Sequence, residues 1–185
     1  MSKQTHKITP WRPVDSRRVL KNRWMEVYVD QVELPNGQLY DYTIIRRKAD
    51  GVAALVCDDA GRVLLEREYR YPVNEIIWQL PGGLVDAGEE PLAAMQRELA
   101  EETGYEAAEW EFLGSFWDNP ALSAMQVHIF IARQPSRSAA TNYDEAEFII
   151  SEWRPWEWVK KAVRSGEIKD RVLLAALGML WARQD

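Results

Sequence analysis

Polar and apolar positions alternate along residues 24–33, WMEVYVDQVE, with Met25, Val27 and Val29 on one side, the period-two pattern of a strand with one face in water. Leu34-Pro35-Asn36-Gly37 has the composition of a turn and Leu39–Arg46 reads as the returning strand, so an antiparallel hairpin is expected. Val52–Cys57 is a continuous apolar run of strand length. The turn Asp58-Asp59-Ala60-Gly61 and a strand near Arg62–Glu66 follow it, which predicts a second hairpin, buried on both faces. Beyond the loop Leu80-Pro81-Gly82-Gly83 the pattern predicts a helix of about Glu90–Thr103, with Pro91 in its first turn and Gly104 as the residue that ends it. Further strands are expected near Trp110–Phe116, Val127–Ala132 and Glu147–Ser151, then a helix near Trp156–Ser165 closed by Gly166. A last helix starts at Asp170 as N-cap and carries Val172, Leu173, Ala176, Leu177, Leu180 and Trp181 at helical spacing. Strands and helices interspersed without a strict βαβ rhythm imply an α/β fold with a mixed sheet between helices.

Composition narrows the function classes. The 185 residues suit one domain or one domain with an appendage, and 46% hydrophobic with 28% charged residues exclude a disordered or fibrous chain. The single cysteine, Cys57, excludes a disulfide framework and suits a reducing compartment; with only His6 and His128, a three-histidine metal site is excluded as well. A net charge of −6, with no basic run longer than a doublet, argues against a nucleic-acid partner. The N-terminus lacks an apolar core for secretion, and the apolar stretch Val172–Ala182 is too short for a membrane span of ~20 residues. A soluble, cytoplasmic protein without a membrane partner is expected. Most of the nine tryptophans, Trp110, Trp117 and Trp181 among them, read as core or rim packing.

The segment Gly82–Tyr105, GGLVDAGEEPLAAMQRELAEETGY, carries the chemistry. At ~100° per residue, Leu92, Met95 and Leu99 form one apolar stripe with Thr103 beside it, and Glu102 falls at its margin. Glu98 and Glu102 stack one turn apart, a like-charge spacing that destabilises a helix unless a cation lies between them. A solvated acidic face with an Arg97–Glu101 ion pair is the plainer reading. The two glycines ahead of the helix weigh against it, because they let the backbone turn sharply and expose carbonyl oxygens. Carboxylates plus a carbonyl, without nitrogen or sulfur donors, suit Mg²⁺, with Mn²⁺ as a substitute, and imply metal-assisted attack on a phosphate.

Gly83, five residues, Glu89, seven residues, then Arg97-Glu98-Leu99-Ala100-Glu101-Glu102-Thr103-Gly104-Tyr105 resembles the complete Nudix box, Tyr105 being a mild variation. The resemblance implies the Nudix α/β/α sandwich and hydrolysis of a nucleoside diphosphate linked to another group. Glu68-Tyr69-Arg70-Tyr71-Pro72, Trp78-Gln79-Leu80-Pro81-Gly82-Gly83, Pro120 sixteen residues after Gly104, and the tail from Asp144 to Asp170 are similar to ADP-ribose and related nucleotide-sugar pyrophosphatases. The likeness covers roughly residues 20–182. It implies two parts: an N-terminal segment and hairpin, residues 1–47, serving dimerisation, and a hydrolase domain, residues 48–185.

By the same resemblance, Glu98 and Glu102 bind metal together with the Gly82 carbonyl, Glu101 either joins them or is shared with Arg97, and Arg97 and Glu89 brace the site. Glu145 is the general base and Glu147 a further metal or water ligand. Arg70 contacts a substrate phosphate, Leu84 offers backbone to the terminal sugar, and Trp24 and Arg46 belong to the nucleobase site, drawn from the N-terminal region of a second chain. The sequence departs from the subgroup at Gln79, where a glutamate is common, and at Ala121–Met125 after Pro120. The expected activity is that of a Mg²⁺-dependent pyrophosphatase yielding a nucleoside monophosphate and a sugar phosphate from ADP-ribose or a similar substrate, in a homodimer. GDP-mannose, a nucleoside triphosphate, a dinucleoside polyphosphate, or sensing of a nucleotide sugar without cleavage are the alternatives.

Overall fold

The computed structural model describes residues 8–137 and 148–183. Within them the chain forms two compact units, one from the N-terminal residues up to Lys48 with Asn119–Met125, the other from Ala49–Asp118 with Gln126 onward.

The first unit is a three-stranded antiparallel sheet in the order β1 (Arg12–Lys21), β2 (Glu26–Glu33), β3 (Leu39–Arg46). The expected hairpin is β2–β3, paired from Glu26↔Arg46 to Glu33↔Leu39. Strand β1 was not anticipated from the sequence. All ten of its residues are exposed and RPVDSRRVLK has no apolar period. What places it is the ladder to β2, supported by the Arg12–Glu33 and Lys21–Glu26 ion pairs.

The second unit is a six-stranded sheet built from β4 (Gly51–Cys57), β5 (Arg62–Arg70), β6 (Glu75–Gln79), β7 (Tyr105–Trp117), β8 (Gln126–Arg137) and β9 (Ile150–Pro155). Its path runs β6-β5-β4-β8-β7, with β9 on the free edge of β5; β4 and β8 are parallel and the other pairs antiparallel. Two differences from the sequence reading matter for the site. Strand β5 continues to Arg70 and gains a partner in β6, and the strand expected at Glu147–Ser151 is found at Ile150–Pro155.

Side chains of the central strands alternate between two apolar layers. Val52, Ala54, Val56, Leu64, Phe130 and Ala132 pack under α1 (Pro91–Thr103) with Ala94, Met95 and Leu99. Ala53, Leu55, Val63, Leu65, Ile129 and Ile131 pack on α2 (Trp156–Ser165) and α3 (Arg171–Trp181) with Val159, Ala162, Leu173, Ala176 and Leu177. This is an α/β/α sandwich. Helix α1 ends at Gly104 in the left-handed conformation, φ 66°, and Asp170 caps α3 by accepting from the Leu173 N–H at 2.8 Å. Leu92, expected on the buried stripe, is 38% exposed, and Ala94 lies in the core instead. Trp117 is exposed as well, whereas Trp110 and Trp181 pack against the two layers.

Candidate active site

Residues 81–85 run along β4 as a short pseudo-strand: Ala54 N–H donates to Pro81 O at 3.1 Å, Val52 N–H to Gly83 O at 2.9 Å, and Val85 N–H to Asp50 O at 3.0 Å. Backbone carbonyls of an extended segment alternate in direction, which leaves the Gly82 carbonyl off that ladder. Neither glycine can be replaced. A Cβ on Gly82, at φ 156°, would lie 2.1 Å from Val52 O, and one on Gly83 would lie 2.4 Å from the Glu98 carboxylate. The loop is thus pressed between β4 and the acidic face of α1.

The acidic side chains are held by N–H donors. Glu102, only 6% exposed, accepts from the Gly82 N–H at 2.8 Å. Arg97 donates from Nη1 to Glu98 at 2.9 Å and Glu101 at 3.1 Å, grips Glu89 through Nε and Nη2, and donates from Nη2 to Leu84 O at 3.1 Å. One guanidinium thereby ties the helix to the loop between the glycines and the helix start. Arg97 lowers the pKa of Glu89, and Glu89 foremost, with Glu98 and Glu101, holds Arg97 more firmly protonated than usual. All donors here are hard oxygens, which fits Mg²⁺ or Mn²⁺. The room that Gly83 leaves for Glu98 is the kind of cradle a side chain would fill. Among the described residues, no three carboxylates converge as a ready coordination shell, because each rests on a neighbouring donor.

A second charged group extends along β5, where Glu66, Glu68 and Arg70 occupy alternate positions and so share the α1 side of the sheet with Leu64. Gln79 accepts from Arg70 Nε at 3.2 Å and Nη2 at 2.8 Å, and donates to Glu68 Oε2 at 2.8 Å. Glu66 faces Gln79 on β6 and Ser151 on β9 and is fully buried. Among the described residues neither of its oxygens has a hydrogen bond of normal geometry. Burial pushes its carboxyl up to about 8, against which the nearby Gln79 amide and Ser151 hydroxyl work only partly. The sequence pointed to Arg70 but not to Glu66 or the link through Gln79 to Glu68, although three charged residues at period two on one strand face were a visible signal.

Comparison with known proteins decides the family. Residues 47–177 match the NUDIX domain and residues 11–45 the nucleoside diphosphate sugar hydrolase N-terminal domain. The chain belongs to the Nudix family. It is 29% identical to the ADP-ribose pyrophosphatase of Bacillus subtilis over 94% of each chain, and 32% identical to the methanol dehydrogenase activator of Bacillus methanolicus over 77% of each. The crystal structure of an ADP compounds hydrolase superposes with a TM-score of 0.86, at 21% identity, over 96% of each chain, which supports the Nudix fold.

The Nudix box accordingly spans the loop and α1. Within the second unit Arg97 gathers Leu84, Glu98 and Glu101, and Glu102 separately holds the Gly82 N–H. Arg70 stands at the end of β5 and is linked to Gln79, three residues before Gly82. The Leu84 carbonyl is taken by Arg97. Trp24 and Arg46 lie in the first unit. Trp24 is exposed beneath the Arg23 guanidinium, 4.4 Å from the ring centre, and Arg46 sits over Tyr28 at 3.8 Å and donates to Ser16 Oγ at 3.2 Å. Glu145 and Glu147 lie outside the described residues.

Proposed function

We propose that this Nudix hydrolase splits a nucleoside diphosphate sugar, ADP-ribose or a close analogue, into a nucleoside monophosphate and a sugar phosphate. The observation that carries the reading is the glycine loop packed without a Cβ's clearance against Glu98, beside Glu102 on the Gly82 N–H. The matched N-terminal domain and the similarity to an ADP-ribose pyrophosphatase point to the substrate class. Gly82 O, Glu98, Glu101, Glu102 and Glu147 would hold a divalent cation, Mg²⁺ in the first instance, which when bound neutralises phosphate charge and makes water more acidic. Arg70 binds a phosphate oxygen through its half-exposed guanidinium. Water adds to one phosphorus, the anhydride P–O bond to the other breaks, and Glu145 takes the water's proton. Leu84 borders the terminal sugar, and Trp24 and Arg46 serve the nucleobase.

The test is an assay of the purified enzyme with Mg²⁺ on ADP-ribose, GDP-mannose, UDP-glucose and nucleoside triphosphates separately, with products weighed by mass spectrometry. AMP plus ribose phosphate is the expected outcome, abolished by a chelator and restored by Mg²⁺. Cleavage of triphosphates alone would reject the substrate class, and no turnover with either Mg²⁺ or Mn²⁺ would favour a nucleotide-sugar sensor.

Dimerisation through residues 1–47 belongs to the same proposal. Trp11, Val14, Val19, Leu20, Trp24, Leu39 and Tyr40, on or beside the three-stranded sheet, are exposed, and large apolar side chains left in water in such number favour a partner surface. Sedimentation equilibrium is expected to give twice the chain mass of 21.4 kDa, and a chain-length mass at micromolar concentration would rule the dimer out. Among the described residues no helix is long and apolar enough to cross a membrane; cytoplasmic placement is proposed from the single, half-buried thiol Cys57.

A further inference from the structure

Gln79 bridges Arg70 and Glu68, which also pair with each other directly. Its side chain is nearly buried, its Oε1 accepts from both Nε and Nη2 of Arg70, and its Nε2 donates to Glu68 Oε2, which also lies 2.9 Å from Arg70 Nη2. Chemistry fixes the orientation of the amide, since turning it over would aim NH₂ at a guanidinium and a carbonyl at a carboxylate. One edge of Arg70 is thereby clamped, while half of the side chain remains open to solvent.

We propose that Gln79, anchored by Glu68, is the positioning residue that holds Arg70 in place for the phosphates of the substrate. The proposal rests on the nucleoside diphosphate sugar reading above. A long arginine that must find its geometry on binding loses side-chain entropy at that moment, and one already clamped does not. The same network explains why position 79 carries an amide. Glu68 takes its N–H at 2.8 Å, so a carboxylate at this position would lose that bond and set a second negative charge beside Glu68.

The experiment compares Gln79→Leu, Gln79→Asn, Gln79→Glu, Arg70→Ala and the Arg70→Ala/Gln79→Leu double variant with the unaltered enzyme. It reads kcat and KM for ADP-ribose with Mg²⁺, and Kd for ADP by calorimetry, which needs no turnover. Arg70→Ala and Gln79→Leu are each expected to raise KM and Kd by about tenfold, with kcat within about twofold, and the double variant is expected to be no worse than Arg70→Ala alone. Gln79→Asn, which keeps the amide but cannot bridge both partners, is expected to follow Gln79→Leu and covers the case in which the latter does not fold. Gln79→Glu is expected to raise KM despite its matching shape. KM and Kd unchanged in Gln79→Asn, or losses that multiply in the double variant, would overturn the inference. An unaffected Arg70→Ala enzyme would overturn it too, while leaving the functional reading intact on the unaltered enzyme's turnover. Neither turnover nor ADP binding by the unaltered enzyme would overturn both.

Discussion

Glu102→Gln is expected to lower kcat on ADP-ribose by about 100- to 1000-fold at saturating Mg²⁺, the scale on which a single electrostatic contributor to a charged transition state acts, while leaving the fold in place. The structure supplies the reason the two effects separate. Glu102 is buried and accepts from the Gly82 N–H at 2.8 Å, and a glutamine carbonyl can accept the same bond. What the substitution removes is the negative charge. The neighbouring carboxylate one turn away, Glu98, loses a like-charged partner, a change that favours the helix by a few tenths of a kcal/mol. Activity and stability should therefore move in opposite directions, which steady-state kinetics and thermal unfolding of one preparation would show. A solvated acidic face predicts turnover within about twofold of the unaltered enzyme, and that result would remove the metal-helix reading.

Glu66 supports a second large effect, on stability. Its carboxyl rises from 4.5 in an unstructured chain to about 8 when folded, chiefly through burial. Between these values the folded state holds a proton that the unfolded state has released, so stability falls as pH rises through this window and is flat below it and above it. The slope is at most about 1.4 kcal/mol per pH unit, and over the window the loss reaches several kcal/mol. Glu66→Val removes the titrating group from its buried place between Gln79 and Ser151. Urea titrations at pH 5, 7 and 8.5 are expected to show the variant gaining on the unaltered enzyme as pH increases, by on the order of 3 kcal/mol at the top, with little difference at the bottom. A difference that does not change with pH would mean that Glu66 ionises like an exposed carboxyl.

The two effects come from carboxylates on facing elements with opposite surroundings. Glu102 has a backbone donor and a helix face that leads to the loop. Glu66 has an amide and a hydroxyl beside it, neither making a normal hydrogen bond among the described residues, and a second carboxylate, Glu68, on the same face. The first is held by a backbone donor beside the glycine loop and is suited to chemistry, and burial favours the second as a neutral acid.

Much of this was readable before any coordinates. The helix over Pro91–Thr103 is bounded by a proline at its start and a glycine at its end, both local backbone effects. The alternation in β2 and the apolar run in β4 determine their faces in the same local way. The spacing of Gly83, Glu89, Arg97, Glu98, Glu101 and Glu102 was enough to gather the box, because residues on one helix turn and its adjoining loop meet wherever that helix forms. Tertiary structure alone decided the rest. Strand β1 has no pattern of its own and exists through its ladder to β2. The parallel pairing of β4 with β8 joins residues more than seventy positions apart, and the burial of Glu66 follows from β5 being flanked by β6 and β9 at once. Local patterns report which face of an element is apolar, whereas a side chain's dielectric surroundings and partners are set by segments that the chain brings to it from a distance.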